Sequence, residues 1–192
     1  MKSARPKLIT LPNPHLRERS KQVKVISPET KKLVENMQAV TLKWEGGREH
    51  EVGVALAAVQ VDRLVRVIVV RNDFEKKEDR TFQVFINPKI TKFEGAIEED
   101  YEGCLSIKDI YGKVPRYSKV RVKAQTLDGQ ERRLTAKGFL ARVFQHEIDH
   151  TNGIVFIDHI KDKPEAFYKL AKDGKLEELD YEKDVKNNSL LW

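Results

Sequence analysis

Gln145-His146-Glu147-Ile148-Asp149-His150 sets two imidazoles four residues apart, with a carboxylate beside the first. In a helix, positions four apart lie on one face, one turn above the other. His146 and His150 can then bind one divalent ion while Glu147 reaches a water next to it. Such a set of groups suits the hydrolysis of an amide. The ordinary alternative is a polar helix whose histidines are solvated locally, since a motif this short also occurs by accident. Working outward, Leu140, Val143 and Phe144 fall on one side of the same predicted helix, and Asn152-Gly153 ends it. Upstream, Val120, Val122 and Ala124 alternate with Lys119, Arg121 and Lys123 as in a half-exposed strand. Asp128-Gly129 supplies a turn and Arg132-Arg133-Leu134 begins the return strand, so a β-hairpin leads into the histidine helix.

A catalytic site of this kind takes three protein ligands and keeps one position open. The third is a downstream Glu in zincin peptidases. Here the chain's single cysteine, Cys104, lies in Glu102-Gly103-Cys104-Leu105-Ser106. A lone Cys is usually a small buried hydrophobe, but the flanking Gly and Ser suggest a tight backbone site that aims a thiolate inward. One Cys and two His form a soft set suited to a first-row divalent metal.

Gly53-Val54-Ala55-Leu56-Ala57-Ala58-Val59-Gln60 is a run of small and apolar residues ending in one amide. By itself it reads as a buried turn and strand start. In order with the Cys104 and His146 stretches, it resembles the three signature motifs of the peptide deformylase family. That family's first motif usually reads GxGLAAxQ, and Ala55 stands in place of the second glycine; the other two motifs match in full. Leu11-Pro12-Asn13-Pro14-His15-Leu16-Arg17 and Val114-Pro115-Arg116 join the resemblance, which covers roughly residues 5–165.

The resemblance implies the removal of formyl from N-formylmethionine at the start of nascent bacterial polypeptides, giving formate and a free amine. It implies a metal held by Cys104, His146 and His150, natively Fe(II), with zinc, nickel or cobalt able to occupy the site. Glu147 would take a proton from water and return it to the leaving amine. The Gln60 amide and the Leu105 backbone N–H would donate to the developing oxyanion. Gly53, Val54, Ala55, Gly103, Phe139 and Val143 are expected along the substrate, with Val54, Phe139 and Val143 around the methionine side chain. Arg116 is expected to support Asp149. Thr151, Lys108, Ile110 and Tyr111 also depart from the common pattern, without removing a catalytic group. Two rival readings are a zincin-like metallopeptidase with no role for Cys104, and an idle binding protein that keeps the fold for ribosome contact. The intact Glu147 argues against the second.

The 192-residue length suits one domain with a real core, and there is no apolar run of transmembrane length. One cysteine excludes an intrachain disulfide and suits a reducing cytoplasm. The net charge of +6 comes from residues 1–50, with 11 Lys and Arg against 5 Asp and Glu. Residues 161–192 are nearly balanced at 7 against 8. The basic excess reads first as a solvated surface and second as steering toward the ribosome; no RNA-binding motif accompanies it, so no sequence-specific nucleic-acid contact is expected. A monomer is expected.

The fold expected is α+β: a single domain of mixed, mostly antiparallel β-sheets around a central metal-binding helix, with N-terminal and C-terminal helices. Ser27-Pro28 starts a helix over 28–44 whose Leu33, Met37, Val40 and Trp44 face the core. Residues 45–50 break it as a glycine-containing loop in which His50 is solvated. Val67–Val70 and Phe82–Ile86 read as strands around a charged loop at 72–80. Ile154–Ile157 reads as a short strand and Glu165–Lys172 as a last helix stopped near Gly174. Residues 1–174 form the catalytic domain, and 175–192 a tail, partly disordered, in which Leu190, Leu191 and Trp192 dock.

Overall fold

Val67 to Val70 are β-branched and alternate between two apolar environments, which makes them an interior strand of the sheet. The structure, a computed structural model, describes residues 7–46, 48–189 and 191–192. Val67–Arg71 (β2) is buried throughout, with Ala55–Ala57 (β1) antiparallel on one side and Phe82–Cys104 (β3) on the other. Strand β3 turns at Leu105-Ser106 into Ile107–Gln125 (β4), forming a long bulged hairpin. Glu131–Lys137 (β5) pairs with the end of β4, and Phe167–Leu170 (β6) with residues 110–112 near its start. Leu176–Glu178 (β7) adds to β6, completing a seven-stranded sheet whose strand pairs are all antiparallel.

Pro28–Glu45 (α1) starts as read: Pro28 occupies the first turn, and the Ser27 N–H donates to Thr30 Oγ1. It packs on one face of the sheet against Leu56, Val67, Val69 and Ile86. Gly138–Thr151 (α2) covers the other face, where Ala141, Phe144 and Ile148 meet Ala55, Ala57, Ile68, Val70 and Phe85. The period of two along β1 thus explains the small residues of the first motif: Ala55 and Ala57 face α2 and let it approach closely. Gly153, at φ +77°, ends α2 and lies so close to Arg17 that a Cβ would sit 2.4 Å from its carbonyl oxygen.

The N-terminal segment stitches the motifs together. The Ile9 N–H donates to the Gln60 carbonyl, Leu11 N–H to Ser106, and Ser20 N–H to Thr151, one bond to each motif region. A third apolar cluster, of Ile107, Val114, Phe156, Ile157, Phe167, Val185 and Leu191, closes the end of the hairpin. Among the described residues no helix is long and apolar enough to cross a membrane.

Several expectations are corrected. Trp44 does not join the core face of α1; Thr41 and Glu45 are buried there instead. Ile154–Ile157 is not a strand: Phe156–His159 is a 3-10 turn, stopped from extending because Asp158 accepts from the Val155 N–H at 2.9 Å. Glu165–Lys172 is not a helix, since residues 167–170 form β6, taken up by the edge of β4 that would otherwise lack a partner. The C-terminal helix of the expected fold is therefore only a single π-turn at Tyr181–Lys186. In the tail, Leu191 is buried and the Trp192 indole N–H donates to the Val185 carbonyl at 3.0 Å. Leu190 lies outside the described residues.

Candidate metal centre

Cys104 ends β3 immediately before the two-residue turn, so the hairpin fixes its position. His146 and His150 project from one face of α2 with their rings 4.9 Å apart. The ligand atoms of the three residues lie within 4.8 Å of one another, and this is the one such group of His, Cys, Asp and Glu among the described residues. Cys104 Sγ is 3.2 Å from His150 Nε2. His150 is fully enclosed, while 11 % of the His146 side chain is exposed. A soft sulfur and two imidazole nitrogens converging at this range fit a tetrahedral divalent ion with one position left over.

Gln60 stands beside the sulfur. Its Oε1 accepts from the Ala57 N–H at 2.8 Å, which directs Nε2 toward Ser106 Oγ (3.1 Å) and Cys104 Sγ (3.6 Å). The amide orientation is thus set by its own motif, with the N–H₂ end toward the cluster. Glu147 is buried, and its Oε2 has no hydrogen-bond partner among the described residues. Burial pushes its pKa up to about 7, against the opposing pull of His146. Burial and the neighbouring His146 push His150 down to about 3, so it presents a neutral ring. For His146, burial is outweighed by hydrogen bonds with Cys104 and Glu102, which raise it well above the ordinary value.

Glu102 organises what surrounds the histidines, and sequence reading gave it no role. Its two oxygens accept from His146 Nδ1 (2.9 Å), Arg116 Nε (2.9 Å) and Nη2 (3.1 Å), and Arg142 Nη1 (2.9 Å). Burial favours protonation, but the bonds from His146 and Arg116 prevail and hold Glu102 well below the usual carboxylate range. Two positions apart on a strand, Glu102 and Cys104 share a face, and that period was the available signal. Arg116 also donates to Asp149 Oδ2 at 2.6 Å, the contact anticipated from the sequence, and His159 reaches the same oxygen at 2.8 Å. A carboxylate bonded to the far nitrogen of a metal-ligating imidazole fixes its tautomer and leaves Nε2 for the ion.

A cavity of about 400 Å³ opens over the cluster. Val54, Ala55, Gly103, Leu105, Phe139 and Val143 line it together with Gln60, Cys104, His146 and Glu147. Gly53 does not: it packs against Thr41 of α1, where a Cβ would lie 2.5 Å from the threonine methyl, and its N–H donates to Glu45 Oε2. The same Glu45 oxygen takes a 2.6 Å bond from the enclosed Arg71, a pair that ties α1 to β2 behind the first motif. Phe74, from the charged 72–80 loop, packs on Phe139 with ring centroids 5.0 Å apart.

A family model described as polypeptide deformylase matches residues 6–166. The peptide deformylase of Mesorhizobium japonicum is 40% identical over 178 residues, covering 88% of this chain and 96% of its own length. Among solved structures, a Synechococcus elongatus peptide deformylase in complex with actinonin is similar at a TM-score of 0.71 and 35% identity, over 82% of this chain and 80% of that one. A plant peptide deformylase is similar at a TM-score of 0.75 and 31% identity, over 85% and 84%. The family model spans the strand and helix that bring Cys104, His146 and His150 together, and both the sequence match and the superposition cover most of the molecule, so the chain belongs to the polypeptide deformylase family.

Proposed function

We propose that this protein is a peptide deformylase, a hydrolase that removes the formyl group from the N-terminal formylmethionine of newly made polypeptides. The observation that carries the reading is the convergence of Cys104, His146 and His150 beneath a cavity that Gln60 and Glu147 also line. A zincin site has no use for a sulfur at this place, and the Cys104 contact with His150 favours the deformylase reading over it.

Cys104 Sγ and the two imidazoles would hold the metal. When bound, it supplies Lewis acidity toward the carbonyl and makes hydroxide available near neutrality. Glu147 accepts the proton from water and delivers it to the leaving amine; its raised pKa suits both transfers. The Gln60 Nε2 hydrogens and the Leu105 N–H stabilise the charge that gathers on the formyl oxygen. A formyl carbon bears only hydrogen on its free side, and the close wall formed by Ala55 and Gly103 admits it while excluding bulkier acyl groups. Val54, Val143 and Phe139 provide the apolar surface for the methionine side chain.

Fe(II) is the native ion in this reading, with zinc, nickel or cobalt as substitutes; the three ligands suit each of them. The protein works as a cytoplasmic monomer on nascent chains, with no sequence-specific nucleic-acid contact. The basic excess of the N-terminal quarter reads first as a solvated surface and second as steering toward a transient ribosome contact. Residues 1–174 make up the catalytic domain, and 175–192 a tail that adds β7 to its edge.

Formate release from formyl-Met-Ala-Ser, with and without a chelator, tests the function. Release that stops on chelation and returns with Fe(II) is expected. Cleavage of unformylated Met-Ala-Ser, with no formate from the formylated peptide, would establish the metallopeptidase instead.

Gln60→Ala tests the oxyanion role. The loss should be roughly 10²–10³-fold and fall mainly on kcat, because the donated bond strengthens as charge develops. A rise in KM alone would make Gln60 a substrate clamp.

A further inference from the structure

Six charged side chains on the cavity wall, Glu147 apart, form three opposite pairs. Arg48 Nη1 is 2.6 Å from Glu51 Oε2, Lys108 Nζ is 3.6 Å from Asp109 Oδ2, and Arg142 Nη1 is 2.9 Å from Glu102 Oε1. All six residues line the same cavity. The Arg142 pair belongs to the support of His146, and the Lys108 pair is largely exposed. The Arg48 pair is held from several sides although the chemistry makes no use of it.

Glu51 Oε1 accepts the Tyr111 hydroxyl at 2.5 Å. The Tyr111 ring lies across Gly103, where a Cβ would come within 2.6 Å of the ring, so only glycine permits that placement. On the other side, the Arg48 guanidinium lies 4.3 Å from the Trp44 ring centroid. Lys77 Nζ donates to the Arg48 and Glu49 carbonyls at 2.9 and 3.2 Å and braces their backbone. A continuous array therefore runs from Gly103, next to the metal-ligating cysteine, to Trp44 at the end of α1. An apolar wall would close the cavity equally well. A fixed carboxylate and guanidinium of balanced charge can instead meet a cationic or an anionic side chain with one complementary group each.

Resting on the deformylase reading, we propose that the Tyr111–Glu51–Arg48 array is a charge-neutral specificity wall, which lets the enzyme accept either charge in the residues that follow formylmethionine. These three are specificity determinants and touch no reacting atom.

The metal-loaded enzyme is assayed with formyl-Met-Lys-Ser and formyl-Met-Glu-Ser, and the ratio of their kcat/KM values is compared between variants at low salt. The wild-type ratio should lie near one. Arg48→Met leaves the Glu51 charge uncompensated and should move the ratio toward the lysine peptide by about two- to fivefold, the scale of one part-exposed ion pair. Glu51→Gln leaves Arg48 uncompensated and should move it as far toward the glutamate peptide. Exchanging the two charges, Arg48→Glu with Glu51→Arg, should restore the wild-type ratio. Both shifts should fade near 1 M salt, where the screening length falls to about 3 Å. A merely structural role would move both peptides alike. Single variants that shift the ratio in the same direction or not at all, or a wild type preferring one charge by more than about tenfold, the size of a 1.4 kcal/mol difference, would overturn the wall. Absence of formate from either peptide with the wild type would overturn the deformylase reading itself.

Discussion

Glu147→Ala is expected to keep the metal and to lose about 10²–10⁴-fold in kcat, the usual contribution of a positioned acid–base group. The geometry separates Glu147 from the ligands. It follows His146 on α2, so its carboxylate lies round the helix from the face that carries the two imidazoles. It is buried and lines the cavity with one oxygen unpartnered, a costly state that a purely structural carboxylate would relieve. Burial raises its pKa to about 7, where accepting and donating a proton are both feasible. Glu147→Gln keeps the shape but cannot take a proton, so it should lose nearly as much as the alanine variant. Metal analysis alongside single-turnover formate release checks both. Near-normal turnover in a metal-replete variant would remove Glu147 from the mechanism.

How much of this site could be read from the chain depended on the range of the interactions. His146, Glu147 and His150 are set by one helix, and a period of 3.6 places them whatever surrounds them. Cys104 is a candidate from its residue type and its Gly and Ser flanks, and Gln60 from resemblance alone; no local rule says that β1 and the β3–β4 turn meet, because the meeting depends on the register of a hairpin running from 82 to 125. That hairpin has several register shifts, and sequence periodicity shows only its ends, at 82–86 and 120–124: the middle of β3 is exposed on both faces, and the buried positions in the middle of β4 include Gly112 and Arg116, which carry no apolar alternation. The β6 segment reads as a helix from the sequence and folds as a strand for a related reason. Phe167-Tyr168-Lys169-Leu170 has no decisive period, and the free edge of β4 at 110–112 decides its state. Gly53 and Glu45 show the same limit. From the sequence, a glycine in such a motif reads as substrate-facing, whereas the Arg71 and Glu45 pair draws it against α1.

Glu102 carries the second large effect. Glu102→Leu should destabilise the protein by about 3–5 kcal/mol, the cost of leaving buried charges without their partner. The guanidinium groups of Arg116 and Arg142, both nearly enclosed, would each lose their bonds to this carboxylate, and His146 Nδ1 its acceptor. Metal affinity should also fall about 10–100-fold, because the His146 ring would no longer be held in the tautomer and orientation that present Nε2. The two losses can be separated. Glu102→Gln retains one acceptor oxygen and the side-chain volume, so it should recover part of the metal affinity while leaving the arginine charges uncompensated. The pH dependence has a definite sign. A carboxylate held below its unfolded value contributes stability that is present above about pH 4.5 and is lost as pH falls toward its folded pKa. Urea unfolding of wild type and Glu102→Gln should therefore differ most near neutrality and converge progressively below pH 4.5. A stability difference that stayed constant down to pH 3 would show that Glu102 contributes through packing and not through its charge. Unchanged metal affinity in the leucine variant would show that His146 is oriented by its stacking on Phe156, at 6.2 Å between ring centroids, and not by the carboxylate.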